Sequence, residues 1–275
     1  MPSPPPTGRS EQLMPYPTPK ALRDTATVFS RETTPELRSP ISIIFAMGQP
    51  LLFLVLFGSM LVGTDPNLGN AAGAGDGDVW QWFVPGILVM MCLMGPLSAG
   101  HGMLAELNGG QMERFGATPI SRTAIILGRT GKDTVTLFAQ AALLTIIAIP
   151  LGMDLHVPGA LATMALLTLL ATGLSAFSYV LAIASRPSGN LFWIVTQMLI
   201  FPITLLSGIL LPVDAGPRWL SAIAAINPIT YIVDAARTLF AGYFLSTSVA
   251  AGITAAVAIA IIGMTLSTRA MKRGL

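Results

Sequence analysis

The chain has 275 residues, of which 53% are hydrophobic and only 10% are charged, whereas an ordinary soluble domain carries about 25% charged residues. So few charges exclude a soluble domain of this length, and a net charge of +2 excludes a nucleic-acid-binding protein of the usual basic kind. The single cysteine, Cys92, excludes an internal disulfide framework. The composition predicts an all-α polytopic membrane protein.

The N-terminal part of the chain precedes any long apolar segment. Residues 1–19 are rich in proline and polar side chains, and we expect a disordered tail there. We expect residues 20–275 to form a single transmembrane domain. Residues 20–38 predict an amphipathic helix on the membrane surface. Its apolar face would contain Leu22, Ala26, Val28 and Phe29.

Six apolar segments are long enough to cross the hydrocarbon core of a membrane, which takes about 20 residues of helix. None of them contains Lys, Arg, Asp or Glu. They are residues 41–62, 82–100, 134–151, 159–184, 191–211 and 245–268.

The basic residues divide unequally between the two sides that six spans would create. Of the 15 basic residues, only Arg218 and Arg237 fall on one side. The other side holds both chain ends and the segment between the second and third spans. Because basic residues concentrate on the cytoplasmic side, we predict that both termini are cytoplasmic and that the chain lies in the cell membrane.

The segment between the fifth and sixth spans is too apolar for a free loop and is interrupted by Pro212, Pro217 and Pro228. Residues 218–226 and 229–240 predict two short helices that dip into the outer leaflet. In the second of these helices, Asp234 and Arg237 have the spacing of an i, i+3 ion pair.

The sequence holds no recognisable catalytic or nucleotide-binding motif. The run "GRTGKD" lacks the first glycine and the final Ser or Thr of a P-loop. His101 and His156 fall on opposite predicted faces of the membrane and cannot share a metal ion. Because the predicted spans also lack the ionisable residues that ion-coupled transporters commonly carry, we expect a cytoplasmic partner to supply energy.

Residues 108–129 form the longest internal cytoplasmic segment. We expect a short helix near 103–107 before this segment and a break at Gly109-Gly110. The pattern then predicts a second short helix at 111–115 and a helix that runs from about Thr123 into the third span. This pattern fits either a solvated loop with a basic anchor or a docking surface for a partner.

Two groups of residues resemble the motifs of type-2 ABC exporter permeases, in particular the permease subunits of daunorubicin-type drug exporters. The first group resembles the cytoplasmic segment of that family, including its acidic residue and its G-T-L-E-R-L, T-P-x-x-R and L-G-[RK] patterns. It comprises Glu106, Gln111, Met112, Glu113, Arg114 and Phe115, followed by Thr118, Pro119, Arg122, Gly128 and Arg129. The second resembles the outer motif N-P-x-x-Y-x-x-[DE]-x-x-R. It comprises Asn227, Pro228, Tyr231, Asp234 and Arg237.

The resemblance implies a permease that exports a hydrophobic or amphipathic compound, such as a drug or lipid. This chain would bind no cofactor, and ATP and Mg²⁺ would bind to a separate ATPase subunit. It would pair with a second copy or a related permease among membrane lipids. The helix at 111–115 would contact the ATPase, while Arg122 and Arg129 would hold this segment against the inner leaflet. An ion-coupled secondary transporter and a membrane-embedded lipid-modifying enzyme are the alternatives.

Overall fold

The computed structural model describes six stretches of the chain, and every regular element in them is a helix. The described residues are 18–38, 40–63, 79–109, 122–186, 189–210 and 217–274. Their α-helices are α1 (Thr18–Leu37), α2 (Pro40–Ala46), α3 (Gly48–Gly63), α4 (Val79–Ser98), α5 (Gly100–Asn108), α6 (Arg122–Ala148), α7 (Val157–Ala184), α8 (Asn190–Leu206), α9 (Arg218–Ile226), α10 (Pro228–Phe240) and α11 (Thr247–Gly274). A 3-10 turn, Ile149–Leu151, follows α6. The all-α prediction is confirmed for these stretches, while most of the predicted N-terminal tail lies outside them.

Four helical segments are long and apolar enough to cross a membrane, and they correspond to the second, third, fourth and sixth predicted spans. They are Val79–Glu106, Leu127–Leu151, Val157–Ala184 and Thr247–Ala270. The first and fifth predicted spans contain shorter apolar helices, Gly48–Ser59 and Asn190–Leu206. The chain is therefore a helical membrane protein, and the count of six spans stays a prediction.

The third candidate span begins earlier than its prediction at residue 134. Its apolar segment starts at Leu127 and includes Arg129, Lys132 and Asp133. These charged residues all lie in the first two turns of the segment, before the predicted span at 134–151. Each of them has an oppositely charged partner, which lowers the cost of removing it from water.

Helix α4 lies at the centre of the bundle. All residues from Phe83 to Leu93 are buried, and α4 packs against α3, α6, α7 and α10. An apolar helix without an exposed face is typical of a span surrounded by other helices. Pro85 and Pro96 lie inside α4, where each removes one hydrogen bond of the helical backbone.

Helices α7 and α11 pack along much of their length, and glycines allow their backbones to approach closely. A Cβ atom on Gly173 would come within 2.8 Å of the backbone of Ile259 and Ala260. One on Gly263 would collide with the backbone of Gly173. Small residues at such crossings are typical of membrane helices. Because α10 also packs against both helices, the three form one well-packed unit.

Helix α1 confirms the predicted helix at residues 20–38 and packs along α6. Val28 is buried and Phe29 half-buried in this contact, whereas Ala26 is exposed. The predicted apolar face is therefore correct for Val28 and Phe29 and wrong for Ala26. Packing against α6 determines which side of α1 is buried, and helical periodicity alone does not predict that side.

Helices α9 and α10 confirm the two short helices predicted before the last span. They meet at Asn227 with a bend of 89°. Helix α9 is largely exposed, while α10 buries Ile232, Val233 and Ala236 against the bundle. The pair therefore has the geometry of a broken span or a re-entrant segment.

Candidate functional site

Arg129 lies in the first turns of α6 and connects three helices at one end of the bundle. Its guanidinium group donates a hydrogen bond to the carboxylate of Glu106 in α5. The same group lies 3.7 Å from a carboxylate oxygen of Glu32 in α1. Charge-assisted hydrogen bonds are stronger than neutral ones, and more so where water is scarce. We call these three residues the ion cluster.

The residue before Arg129 explains how α1 comes close enough to supply Glu32. A Cβ atom on Gly128 would come within 2.8 Å of the Val28 side chain, so any other residue there would push α1 away. Val28 and Glu32 are four residues apart and lie on the same face of α1. Gly128 therefore allows α1 to approach α6 closely, and Arg129 supplies the positive charge that faces Glu32.

The ion cluster also corrects one sequence-based prediction. Only 7% of Arg129 is exposed, and its charge faces two carboxylates. The prediction that Arg129 holds the inner leaflet is therefore wrong, because a side chain so buried cannot reach lipid headgroups. For Arg122, the first residue of α6, the structure describes the backbone and not the side chain.

The structure places Glu106 and Arg129 at the two ends of the predicted docking segment. Helix α5 ends at Asn108, two residues after Glu106, and α6 begins seven residues before Arg129, at Arg122. Residues 110–121, between these helices, lie outside the described residues. The predicted site residues in that interval are Gln111, Met112, Glu113, Arg114, Phe115, Thr118 and Pro119. The bond from Glu106 to Arg129 therefore joins the two helices from which this segment departs.

One turn further along α6, Asp133 forms a second polar contact, with α7. Its carboxylate accepts hydrogen bonds from the Tyr179 hydroxyl at 2.9 Å and the Ser175 hydroxyl at 3.0 Å. The Lys132 ammonium lies 3.2 Å away. Sequence reasoning missed this contact. No pattern in the sequence pairs Asp133 with α7, because helical spacing identifies neighbours on a single helix.

At the other end of the bundle, the Asn-Pro-x-x-Tyr residues shape the bend between α9 and α10. The Asn227 side-chain oxygen accepts a hydrogen bond from the Ile229 amide at 3.0 Å and so caps α10. Pro228 follows at the first helical position, where its missing N–H costs nothing. The Tyr231 hydroxyl donates to the Ala225 carbonyl at 2.7 Å, which fastens α10 back onto α9.

Arg237 completes this outer motif, but its main partners are not those that the sequence indicated. The predicted pair with Asp234 exists at 3.9 Å, and Asp234 is half exposed. Shorter bonds run from Arg237 to the carbonyls of Gly208, at 2.8 Å, and Trp82, at 3.2 Å. Sequence reasoning missed these partners because backbone carbonyls have no sequence signature.

The remaining candidate groups have structural surroundings. Cys92 is buried, and its sulfur donates to the Leu167 carbonyl. His156 caps α7 by accepting a hydrogen bond from the Gly159 amide at 3.2 Å. Among the residues that the structure describes, no group of three or more His, Cys, Asp or Glu side chains could hold a metal ion.

Comparison with known proteins shows which family the chain belongs to. Residues 23–241 match the ABC-2 type transporter family. A putative transport permease, ycf38, from Cyanophora paradoxa is 29% identical over 205 residues, which cover 74% of this chain and 69% of that protein. The daunorubicin resistance ABC transporter permease protein DrrB1 from Streptomyces coeruleorubidus is 24% identical over 214 residues, which cover 74% of this chain and 70% of that protein. The family match covers most of the chain, including both motif groups. This chain therefore belongs to the ABC-2 type transporter family and is a membrane-embedded transport permease.

Proposed function

We propose that this permease is the transmembrane subunit of an ATP-driven exporter, and that a separate ATPase subunit docks on residues 111–115. The observation that carries the proposal is the ion cluster at the base of this segment. Glu106 and Arg129 join the helices on either side of residues 110–121, and Glu32 adds α1 to them. A force applied to the segment would therefore act on three helices together.

The mechanism follows from how these helices are connected. ATP binding would close the ATPase subunits and push on the segment at 111–115 and on α1. Because the ion cluster resists separation of the three helices, they would move together as a rigid body. Asp133 would pass this movement from α6 to α7, which packs with α10 and α11. The movement at the cytoplasmic end would then reach the outer helices.

The topology proposed for this mechanism has six spans with both termini in the cytoplasm. If α2 and α3 continue one another in a line, the 24 residues from Pro40 to Gly63 extend over about 36 Å, and the 17 residues of α8 extend over about 26 Å. Both lengths are close to the hydrocarbon thickness of about 30 Å. Basic residues are concentrated at the two termini of the chain and beside the ion cluster, which supports a cytoplasmic location for the termini and the cluster. The same distribution supports a place for the chain in the cell membrane.

We infer a two-fold transport unit in which α3 and α8 face a second permease. Helix α8 packs mainly against α4 and α9, and several of its large apolar side chains are exposed. Gln197 is exposed on α8 and Gln49 on α3, as polar side chains at a protein interface would be. Membrane lipids would cover the remaining apolar surface.

The proposed cargo is a hydrophobic or amphipathic compound, such as a drug, a lipid or a glycolipid. Helices α3 and α8 contain no Asp, Glu, Lys or Arg, so a pathway between them would offer no counter-charge. The relative DrrB1 is named for daunorubicin resistance, which makes drug efflux one form of the proposal.

One observation favours an ion-coupled transporter instead, namely Asp133 inside a candidate span. Its carboxylate already accepts hydrogen bonds from Tyr179 and Ser175 and lies beside the Lys132 ammonium. The two functions differ in energy source. Transport by an exporter of the proposed kind continues with ATP when a protonophore collapses the proton gradient, whereas proton-coupled transport stops.

Copurification tests the proposed partner. The tagged permease, expressed in its own cells and solubilised in detergent, should retain a protein with a Walker A sequence. Charge reversal with Glu113→Lys and Arg114→Glu should remove most of that protein. Arg218→Glu, which reverses a charge on the predicted outer side, is the matched control and should retain it. Absence of any such ATPase with the unaltered permease would refute the proposal.

A further inference from the structure

A side chain from another helix binds the turn at the outer end of α8. Arg237 of α10 donates through one nitrogen, Nη2, to the carbonyls of Gly208 at 2.8 Å and Ile209 at 3.4 Å. Both residues belong to the turn that follows α8. A second nitrogen, Nε, donates to the carbonyl of Trp82 in α4 at 3.2 Å. The guanidinium carbon also lies 3.7 Å from the centre of a Trp82 ring.

The carbonyls of the turn after α8 need a donor from outside that helix. The last four carbonyls of a helix have no partner within it, and the turn after α8 continues this series. Gly208 has a φ angle of 73°, which ends the helix there and favours glycine. The Trp82 carbonyl lies inside α4, where its helical donor is the Gly86 amide four residues on, so the bond from Arg237 is an additional one.

The contact between α4 and the turn is close and depends on Gly86. A Cβ atom on Gly86 would come within 2.8 Å of the Ile209 carbonyl oxygen. The third turn of α4 and the turn after α8 therefore meet at Gly86, and Arg237 bonds to both. We call Arg237, the Trp82 carbonyl and the Gly208–Ile209 turn the outer clasp.

We propose that Arg237 is a positioning residue for transport, because the outer clasp makes the outer ends of α4 and α8 move together with α10. This inference rests on the proposed function, in which movement from the cytoplasmic end must reach the outer side. Among the described residues, α8 otherwise packs mainly against α4 and α9. Without the clasp, α4 and α10 would move during the ATPase cycle while the outer end of α8 would not follow.

The proposal gives Arg237 a role that its ion pair with Asp234 does not provide. Asp234 is 52% exposed and lies 3.9 Å away, so that pair adds little. Planar guanidinium geometry allows one side chain to reach carbonyls on two helices and to stack on an aromatic ring. Lysine carries the same charge without this geometry. If only the charge at position 237 matters, Arg237→Lys should keep the function, whereas the outer clasp predicts that it should not.

A distance measurement by pulsed electron paramagnetic resonance tests the clasp directly. The full chain carries Cys92→Ala, so that spin labels attach only at Leu205→Cys on α8 and Ala241→Cys after α10, both exposed positions. Labelled chain is diluted with unlabelled chain in lipid nanodiscs. We expect a narrow distance distribution with Arg237, and a broad one with Arg237→Gln or Arg237→Lys. Arg218→Gln, the same change at an exposed outer arginine, should leave it narrow.

A second variant perturbs the clasp without changing Arg237. Gly86→Ala places a methyl group against the Ile209 carbonyl and should broaden the same distribution. Asp234→Asn should not. An unchanged distribution in both Arg237→Gln and Gly86→Ala, or a broadened one in Asp234→Asn alone, would overturn the proposal.

Transport measurements with the partner ATPase complete the test. We expect Arg237→Lys to reduce transport by about tenfold, the equivalent of one lost charge-assisted hydrogen bond, while ATP hydrolysis stays within about twofold. Equal loss of hydrolysis and transport would indicate a structural role and overturn the positioning role. If the unaltered complex shows no ATP-driven transport, the proposed function fails, whereas the distance measurement still decides whether the clasp exists.

Discussion

Replacing Arg129 by methionine tests the ion cluster quantitatively. The Arg129 side chain is 8% exposed, and those of Glu106 and Glu32 are 21% and 24% exposed. Removing one partner of a fully buried ion pair costs about 3–5 kcal/mol. Because both carboxylates keep some contact with solvent after the substitution, we expect a smaller decrease, about 2 kcal/mol, in the free energy of unfolding.

A double-mutant cycle separates the contributions of the two carboxylates. Arg129 bonds directly to Glu106, whereas Glu32 lies 3.7 Å away. We therefore expect a coupling energy of about 1–2 kcal/mol between Arg129→Met and Glu106→Gln, and below about 0.5 kcal/mol between Arg129→Met and Glu32→Gln.

The assay for this cycle is thermal unfolding in detergent, followed by the loss of the monodisperse peak in size-exclusion chromatography. The decrease in the free energy of unfolding that we predict for Arg129→Met corresponds to a decrease of about 5 °C in apparent Tm for a chain of this size. A larger coupling to Glu32 than to Glu106 would refute the reasoning from distance. An unchanged Tm in Arg129→Met would refute the ion cluster as a stabilising contact.

Three further predictions concern the other contacts. Gly128→Ala should push α1 from α6 and decrease the free energy of unfolding by about 1–3 kcal/mol, and Val28→Ala should restore much of it, both measured by thermal unfolding. Asp133→Asn removes the charged acceptor of Tyr179 and should cost about 1–3 kcal/mol in the same assay, while ATP-driven transport continues in the presence of a protonophore. Asn227→Ala removes the cap of α10 and should cost about 1 kcal/mol, with faster hydrogen exchange at the start of α10.

The helices of this protein could be predicted well from local signals. Prolines on either side of residues 218–226, together with the apolar spacing after Pro228, placed α9 and α10 within one residue of their observed ends. The third span was placed less well, because its prediction stopped at the first charged residue. Charge is a reliable limit for a span only if the side chain has no partner, and the partners of Arg129 and Asp133 lie on other helices.

The partners within the sites could not be predicted, for two physical reasons. Arg129 was expected to meet lipid headgroups because basic residues commonly do so at the cytoplasmic side, and nothing in the sequence reveals that Glu32 and Glu106 lie closer. Arg237 was expected to pair with Asp234, which is local, whereas its stronger partners are backbone carbonyls 29 and 155 residues away. Helical spacing identifies neighbours on one helix and does not identify contacts between helices.

Reconstituted transport tests the central claim most directly. The permease and its copurified ATPase are placed in proteoliposomes, and movement of a fluorescent amphipathic compound is followed with ATP and a protonophore present. We predict ATP-dependent movement that persists with the protonophore and is lost with Glu113→Lys and Arg114→Glu, but not with Arg218→Glu. Movement that requires the proton gradient, or that is unaffected by charge reversal at residues 113 and 114, would contradict the account.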